Sequence, residues 1–164
     1  MRSYRLEETR LKLFYLVAGV MAVLGIVLGG LFFWLVAQLG PDLVGVIIAA
    51  LPLVILGGLA LAIVYYSTSI RLELSEQGVA LRLPGGFVEA DWDDVARIAP
   101  AAWGPLTGEA LELRRPARTQ WAWWLSLVAR PDSSSIPIGA FALPLRGSRL
   151  EADLRSRAPH LFES

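Results

Sequence analysis

Cysteine is absent from the chain, so no disulfide framework exists and no thiolate is available to bind a metal or attack a substrate. Histidine is nearly as scarce. His160, just after Pro159, is the only one, and nucleophilic catalysis by a serine or threonine lacks its usual base. His160 therefore reads as a packing or surface residue. A basic excess is missing too: 15 basic side chains balance 15 acidic ones. A protein that neutralises nucleic-acid phosphates needs such an excess, and this excludes that class. The largest absence is of charge itself, because from Leu13 to Ser69 the only formally charged side chain is Asp42.

What fills that stretch is apolar. Hydrophobic residues make up 55% of the chain, against roughly 45–50% in soluble domains. Residues 13–38 and 43–66 are two runs, each longer than the roughly 20 helical residues that cross a bilayer core. Leu39-Gly40-Pro41-Asp42 separates them, with Gly a helix stop and Pro41-Asp42 a helix start. So short a connection predicts an antiparallel hairpin in the membrane. A cleaved signal peptide is the rival reading of the first run. Its apolar stretch is too long, no small-residue cleavage site follows, and a second run comes at once.

Loop charges set the expected orientation. Arginine and lysine are retained on the cytoplasmic side, and the connecting loop has neither. The expected order is a cytoplasmic segment (1–12), a first span (13–38), an external loop (39–42), a second span (43–66) and a cytoplasmic domain (70–164), in the cell (inner) membrane. Residues 1–12 either extend the first helix or lie on headgroups. Tyr65, Tyr66 and Trp34 stand near the span ends, where amphipathic rings favour the interface. Pro52 inside the second span predicts a kink. No ionisable residue stands at mid-depth, which argues against a proton or ion pathway. Gly25 and Gly29 form a G-x-x-x-G spacing that either packs the two helices together or joins a second copy.

From Ile70 the pattern changes to period two. Ile70, Leu72 and Leu74 alternate with Arg71 and Glu73, which predicts a half-buried strand. Residues 75–78 then turn, 79–83 resume the alternation, and Pro84-Gly85-Gly86 turns again before 87–90, giving an antiparallel meander. Residues 100–108 read as an irregular loop. Further strands are expected over 110–115, 121–129 and 135–138. Leu150 with Leu154, Glu151 four residues before Arg155, and Pro159 as a stop predict an end helix over 149–158. The expected class is α+β, with the membrane hairpin followed by an antiparallel β-barrel or sandwich and a C-terminal helix.

Three strands with turns at Gly78 and Pro84-Gly85-Gly86, the run into Trp92-Asp93-Asp94-Val95, later strands with Ile136-Pro137-Ile138 and Phe141, and an amphipathic end helix together resemble the bacterial pleckstrin-homology-like (PH-like) domain family. Members often carry two N-terminal spans. The resemblance implies a curled β-sheet capped by a helix and transfers no catalytic residue.

Chemistry has few footholds. Asp91, Asp93 and Asp94 cluster, but no calcium-loop continuation follows them, so they read as a solvated, capping turn, and no metal or cofactor is expected. Arg114, Arg115 and Arg118 form the densest basic cluster, beside Trp121, Trp123 and Trp124. Two readings remain open for it: contact with anionic headgroups or a partner, or tryptophans that belong to the core. The expected function is a non-catalytic, membrane-tethered interaction module whose PH-like domain docks a protein partner. The competing expectation is an accessory subunit of a transport or envelope-assembly complex that acts through its spans, as a homo-oligomer or with other proteins.

Overall fold

The charge-free sequence becomes two long helices, α1 (Glu8–Leu39) and α2 (Leu43–Ser69). The computed structural model describes residues 2–40, 42–103, 106–122 and 133–162, without the side chains of 101–103, 106 and 107. Its two compact units are residues 9–68, and residues 1–8 together with 69–164.

Both helices are long and apolar enough to cross a membrane. At 32 and 27 residues they measure roughly 48 and 40 Å at 1.5 Å per residue. Each outruns its apolar run, because the polar ends also satisfy a helix. Glu8 sits in the first turn of α1, where a carboxylate suits the positive end of the dipole. Ser67 and Thr68 close α2 by donating their hydroxyls to the Val64 carbonyl at 3.0 and 2.9 Å. Gly40, with φ of +101°, takes the left-handed conformation that ends α1. Asp42 then caps α2, its Oδ1 accepting from the Gly45 N–H at 2.6 Å. Pro52 lies inside a continuous α2. Large apolar side chains such as Leu16, Val20, Val23, Val54 and Leu61 point outward, 60 to 73% exposed. The buried positions are small: Ala18 and Gly25 on α1, and Ala49, Ala60 and Ser67 on α2.

In the second unit the expected meander is present as β2 (Arg71–Leu74), β3 (Gly78–Leu83) and β4 (Gly86–Asp91). Two further strands flank it. Residues Arg2–Arg5 are β1 and pair antiparallel with β2, and Arg118–Trp121, here β7, pairs with β4. The order of this sheet is β1-β2-β3-β4-β7. The N-terminal segment is thus neither wholly helical nor free: it is a sheet edge, and α1 begins at Glu8. The whole helical hairpin is inserted between two adjacent, hydrogen-bonded strands.

At Asp91 the chain leaves that sheet. A 3-10 turn (Trp92–Asp94) buries Trp92, whose Nε1 donates to the Ser75 carbonyl at 3.1 Å. β5 (Val95–Trp103), β6 (Leu106–Leu113) and β8 (Ser135–Pro137) then form a separate sheet of order β5-β6-β8. The expected barrel is not closed, because the 3-10 turn interrupts the ladder and β5 pairs with β6 rather than β4. The loop expected over 100–108 is instead largely strand, with Pro100 opposite Glu109. Pro100 does not break the strand, because β5 is at the sheet edge, where a missing N–H is tolerated. Of the strand expected over 121–129, only Trp121 and Ala122 fall within the described residues.

The end helix α3 (Arg149–Arg157) has the expected span. Ser148 Oγ accepts from the Glu151 N–H at 3.1 Å, and Arg155 bridges Glu151 at 3.0 Å. A 3-10 turn (Pro159–Leu161) follows. Inward positions from all parts make the core: Leu72, Leu74, Val79, Leu81 and Val88 from the first sheet, Val95, Leu111 and Ile136 from the second, and Leu150 and Leu154 from α3.

Candidate functional site

Cross-strand register decides what the first sheet presents. Residues directly opposite one another share a face, with Cβ atoms about 5 Å apart. Arg5 is opposite Arg71, Arg71 opposite Arg82, Arg82 opposite Phe87, and Phe87 opposite Gln120. The exposure of Arg5, Arg71 and Arg82 puts this row on the outer face. The next row on that face is Ser3, Glu73, Ala80, Glu89 and Arg118. Charge is therefore sorted along the strands, with a row of three arginines followed by a row holding two glutamates and, on β7, Arg118. Arg82 Nε reaches back to Glu73 Oε2 at 2.6 Å, and that bond, with the charge of Glu73, raises the Arg82 pKa. Among the described residues, Arg5 and Arg71 have no ion-pair partner.

The arginine row stands at the end of the sheet from which the helices depart. Leu6 and Glu7 alone separate β1 from α1, and Ile70 alone separates α2 from β2. Leu6 and Ile70 are buried, and the Glu7 N–H donates to the Ala140 carbonyl at 3.1 Å. The junctions are thus held by the β unit itself.

Arg114 and Arg115 lie toward the opposite end, beside Asp94, whereas Arg118 ends the glutamate row, opposite Glu89. The Arg114 N–H donates to the Asp94 carbonyl at 2.7 Å, Arg115 stands 3.8 Å from Asp94, and Arg118 stands 3.9 Å from Asp91. The acidic turn and the basic cluster face one another, so this surface is of mixed sign. Trp121 is at the far end of β7 from Arg118, its ring against Gly86, where an added Cβ would meet the ring at 2.3 Å. Arg118 and Trp121 thus stand at the two ends of β7, with only Trp121 at the end of the sheet. Trp123 lies outside the described residues.

In the helical unit, Gly25 and Gly29 face α2. A Cβ at Gly25 would lie 3.1 Å from Leu56 Cβ and 3.4 Å from the Pro52 carbonyl, and one at Gly29 3.4 Å from Leu53 Cβ.

A clamp that sequence reasoning missed ties β1 to α3. The carboxylate of Asp153 accepts from both the Arg2 guanidinium and the Tyr4 hydroxyl. Those two bonds, Arg2's first, hold the Asp153 carboxyl below the usual carboxylate range. Burial, and then the bond to Asp153, pushes the Tyr4 phenol up to about 12. No signal in the sequence pairs residues so far apart in the chain. His160 Nε2 sits 3.2 Å from the Val95 carbonyl. A carbonyl only accepts, so Nε2 carries the proton there. An open groove of about 500 Å³ lies beside α3, lined by Ile98, Leu145 and Phe162 with Arg146 and the Glu151–Arg155 pair among its walls. Among the described residues no group of three or more metal-ligating side chains occurs.

Comparison with known proteins gives no match to a family model, a curated protein or a solved structure.

Proposed function

We propose that this protein is a membrane-tethered interaction module: α1 and α2 span the bilayer as a hairpin, and the β unit works at the surface of the leaflet where both helix ends emerge. The observation that carries this reading is the β1–β2 ladder. Strands on either side of the hairpin pair directly, so the chain that leaves through α1 must return through α2 to the same side. Two spans satisfy that condition, and one does not. The outward apolar side chains of both helices need hydrocarbon around them, since an exposed apolar surface of that extent is untenable in water. By the arginine bias of the flanks, the β unit faces the cytoplasm of the cell membrane.

The β unit is the working part, and its task is docking a protein partner, without catalysis. An antiparallel meander followed by further strands and an end helix supports the PH-like likeness, while the separate sheets and the strand ahead of the spans depart from it. Tethering confines the unit to one surface, so a weak contact suffices for recruitment. The alternative, a subunit that assembles through Gly25 and Gly29, is less favoured because both glycines already pack against α2.

The test has two parts. Resistance of the full chain to carbonate extraction checks the tether, and extraction without detergent overturns it. Crosslinking in native membranes, repeated with both helices exchanged for unrelated spans, checks the docking. Recovery of the same partner is expected, and its loss assigns binding to the spans.

A further inference from the structure

We propose that the arginine row Arg5–Arg71–Arg82 is a binding surface for anionic phospholipid headgroups, which draws the outer face of the first sheet toward the leaflet. The proposal rests on the membrane reading above and adds a ligand and a surface to it.

Three observations converge. First, the row is assembled by register. Like charges directly opposite one another on a sheet destabilise it, and here two such pairs stand side by side, Arg5 with Arg71 and Arg71 with Arg82. Only Arg82 has an acidic partner among the described residues. An arrangement that disfavours the isolated fold is relieved by an external anion.

Second, the row stands where the chain meets the membrane. From Tyr66, the end of the second apolar run, three helical steps and two extended ones reach Arg71, a span of at most about 12 Å. The headgroup layer is roughly 5–8 Å deep, and screening at physiological salt extends the leaflet's field about 8 Å further. Arg71 is inside that zone, and Arg5 and Arg82 are its neighbours in the ladder. The buried junction residues Leu6 and Ile70 keep the tether from lengthening.

Third, the charge is sorted in the right sense. Glu73 and Glu89 stand one row further from the helices, with Arg118 the one cation of that row, so the near row carries three positive charges and the next a net negative one, and an anionic leaflet favours the near row. The cluster of Arg114, Arg115 and Arg118 lacks these properties: Arg114 and Arg115 stand beside Asp94, and Arg118 lies in the glutamate row facing Glu89 and Asp91.

The chain has no cysteine, so Gln77→Cys, in the exposed turn at the far end of β2, gives a single labelling point. The labelled full-length protein is reconstituted in vesicles of neutral lipid, with or without phosphatidylglycerol, carrying an acceptor dye on a lipid. Energy transfer from Cys-linked dye to acceptor reports the approach of the sheet to the leaflet. Transfer is expected to change with the anionic fraction and to revert in about 0.5 M salt, where screening shortens to roughly 4 Å. Arg5→Gln with Arg71→Gln should lower the docked-to-undocked ratio about 25-fold, at about five-fold per arginine. Lysine at both positions should restore it, which separates a charge effect from a folding defect.

Equal transfer in neutral and anionic vesicles overturns the proposal. So does a response that survives the double glutamine variant, or one lost only in Arg114→Gln with Arg115→Gln and Arg118→Gln. The same response to inorganic phosphate with neutral vesicles overturns the assignment to lipid. Carbonate extraction of the unlabelled chain keeps the two readings apart: a carbonate-resistant protein without a lipid response refutes the headgroup surface alone, whereas an extractable protein refutes the tether.

Discussion

Arg5 and Arg71 stand directly opposite each other in one β-ladder although the entire helical hairpin lies between them in the chain. The β unit is therefore not a domain that begins after the helices. Its first strand precedes α1 and its second follows α2, so the sheet is complete only when the segments on either side of the helical pair meet.

A chain that begins at Ile70 should accordingly be incomplete. It lacks β1, leaves the β2 edge unpaired, loses the buried Leu6 and strips Asp153 of two donors. One bond to a charged group and one buried leucine are each worth about 1.5–3 kcal/mol, so a loss of about 3 kcal/mol or more is expected. Joining residues 1–7 to 70–164 through a short glycine-rich turn should restore it. Thermal unfolding of the two chains, followed by circular dichroism, makes the comparison.

The Asp153 clamp should give stability a defined pH window. Its carboxyl is held low in the folded state, so the clamp's contribution is present above the unfolded carboxylate value of about 3.9 and is lost as pH falls through the folded value. Tyr4 is raised to about 12. Its contribution is whole below the unfolded phenol value of about 10 and is lost as pH rises through the folded one. Urea midpoints of the hairpin-free chain should be highest between these limits. Tyr4→Phe should cost about 1–2 kcal/mol at neutral pH, and Asp153→Asn should flatten the acid limb.

Glycines on different faces of the helices should respond differently. Gly25→Leu places a side chain against Leu56 and the Pro52 carbonyl, and overpacking of that kind costs about 1–3 kcal/mol. Gly57→Leu meets nothing within 4 Å and should be silent. Disulfide trapping between cysteine pairs introduced on α1 and α2 would read the difference, with a slower rate expected only for Gly25→Leu.

Gly78 should tolerate no side chain. A Cβ there would lie 2.2 Å from the Ala90 carbonyl oxygen, and backbone has no rotamer by which to yield. Gly78→Ala should break the β3–β4 pairing nearest Asp91 and loosen the Trp92 turn, which leans on the Gln77 carbonyl at 3.3 Å. Faster amide exchange at Val79 and Trp92, with exchange at Leu111 unchanged, is the expected pattern.

Local periodicity determined much of this molecule. The charge-free runs specified α1 and α2, the alternation after Ile70 specified the meander, and Leu150, Leu154 and the Glu151–Arg155 spacing specified α3, because each pattern acts through neighbours a few residues apart. Tertiary structure alone decided that Arg2–Arg5 is a strand of the first sheet, that Pro100 lies within a strand, that Arg118 pairs with Glu89 and Trp121 with Gly86, and that Arg5, Arg71 and Arg82 form one row. Those facts depend on strand pairing and register between residues far apart in sequence. Pairing energy comes from backbone groups that every residue carries, so side-chain pattern alone could not reveal which strands would meet.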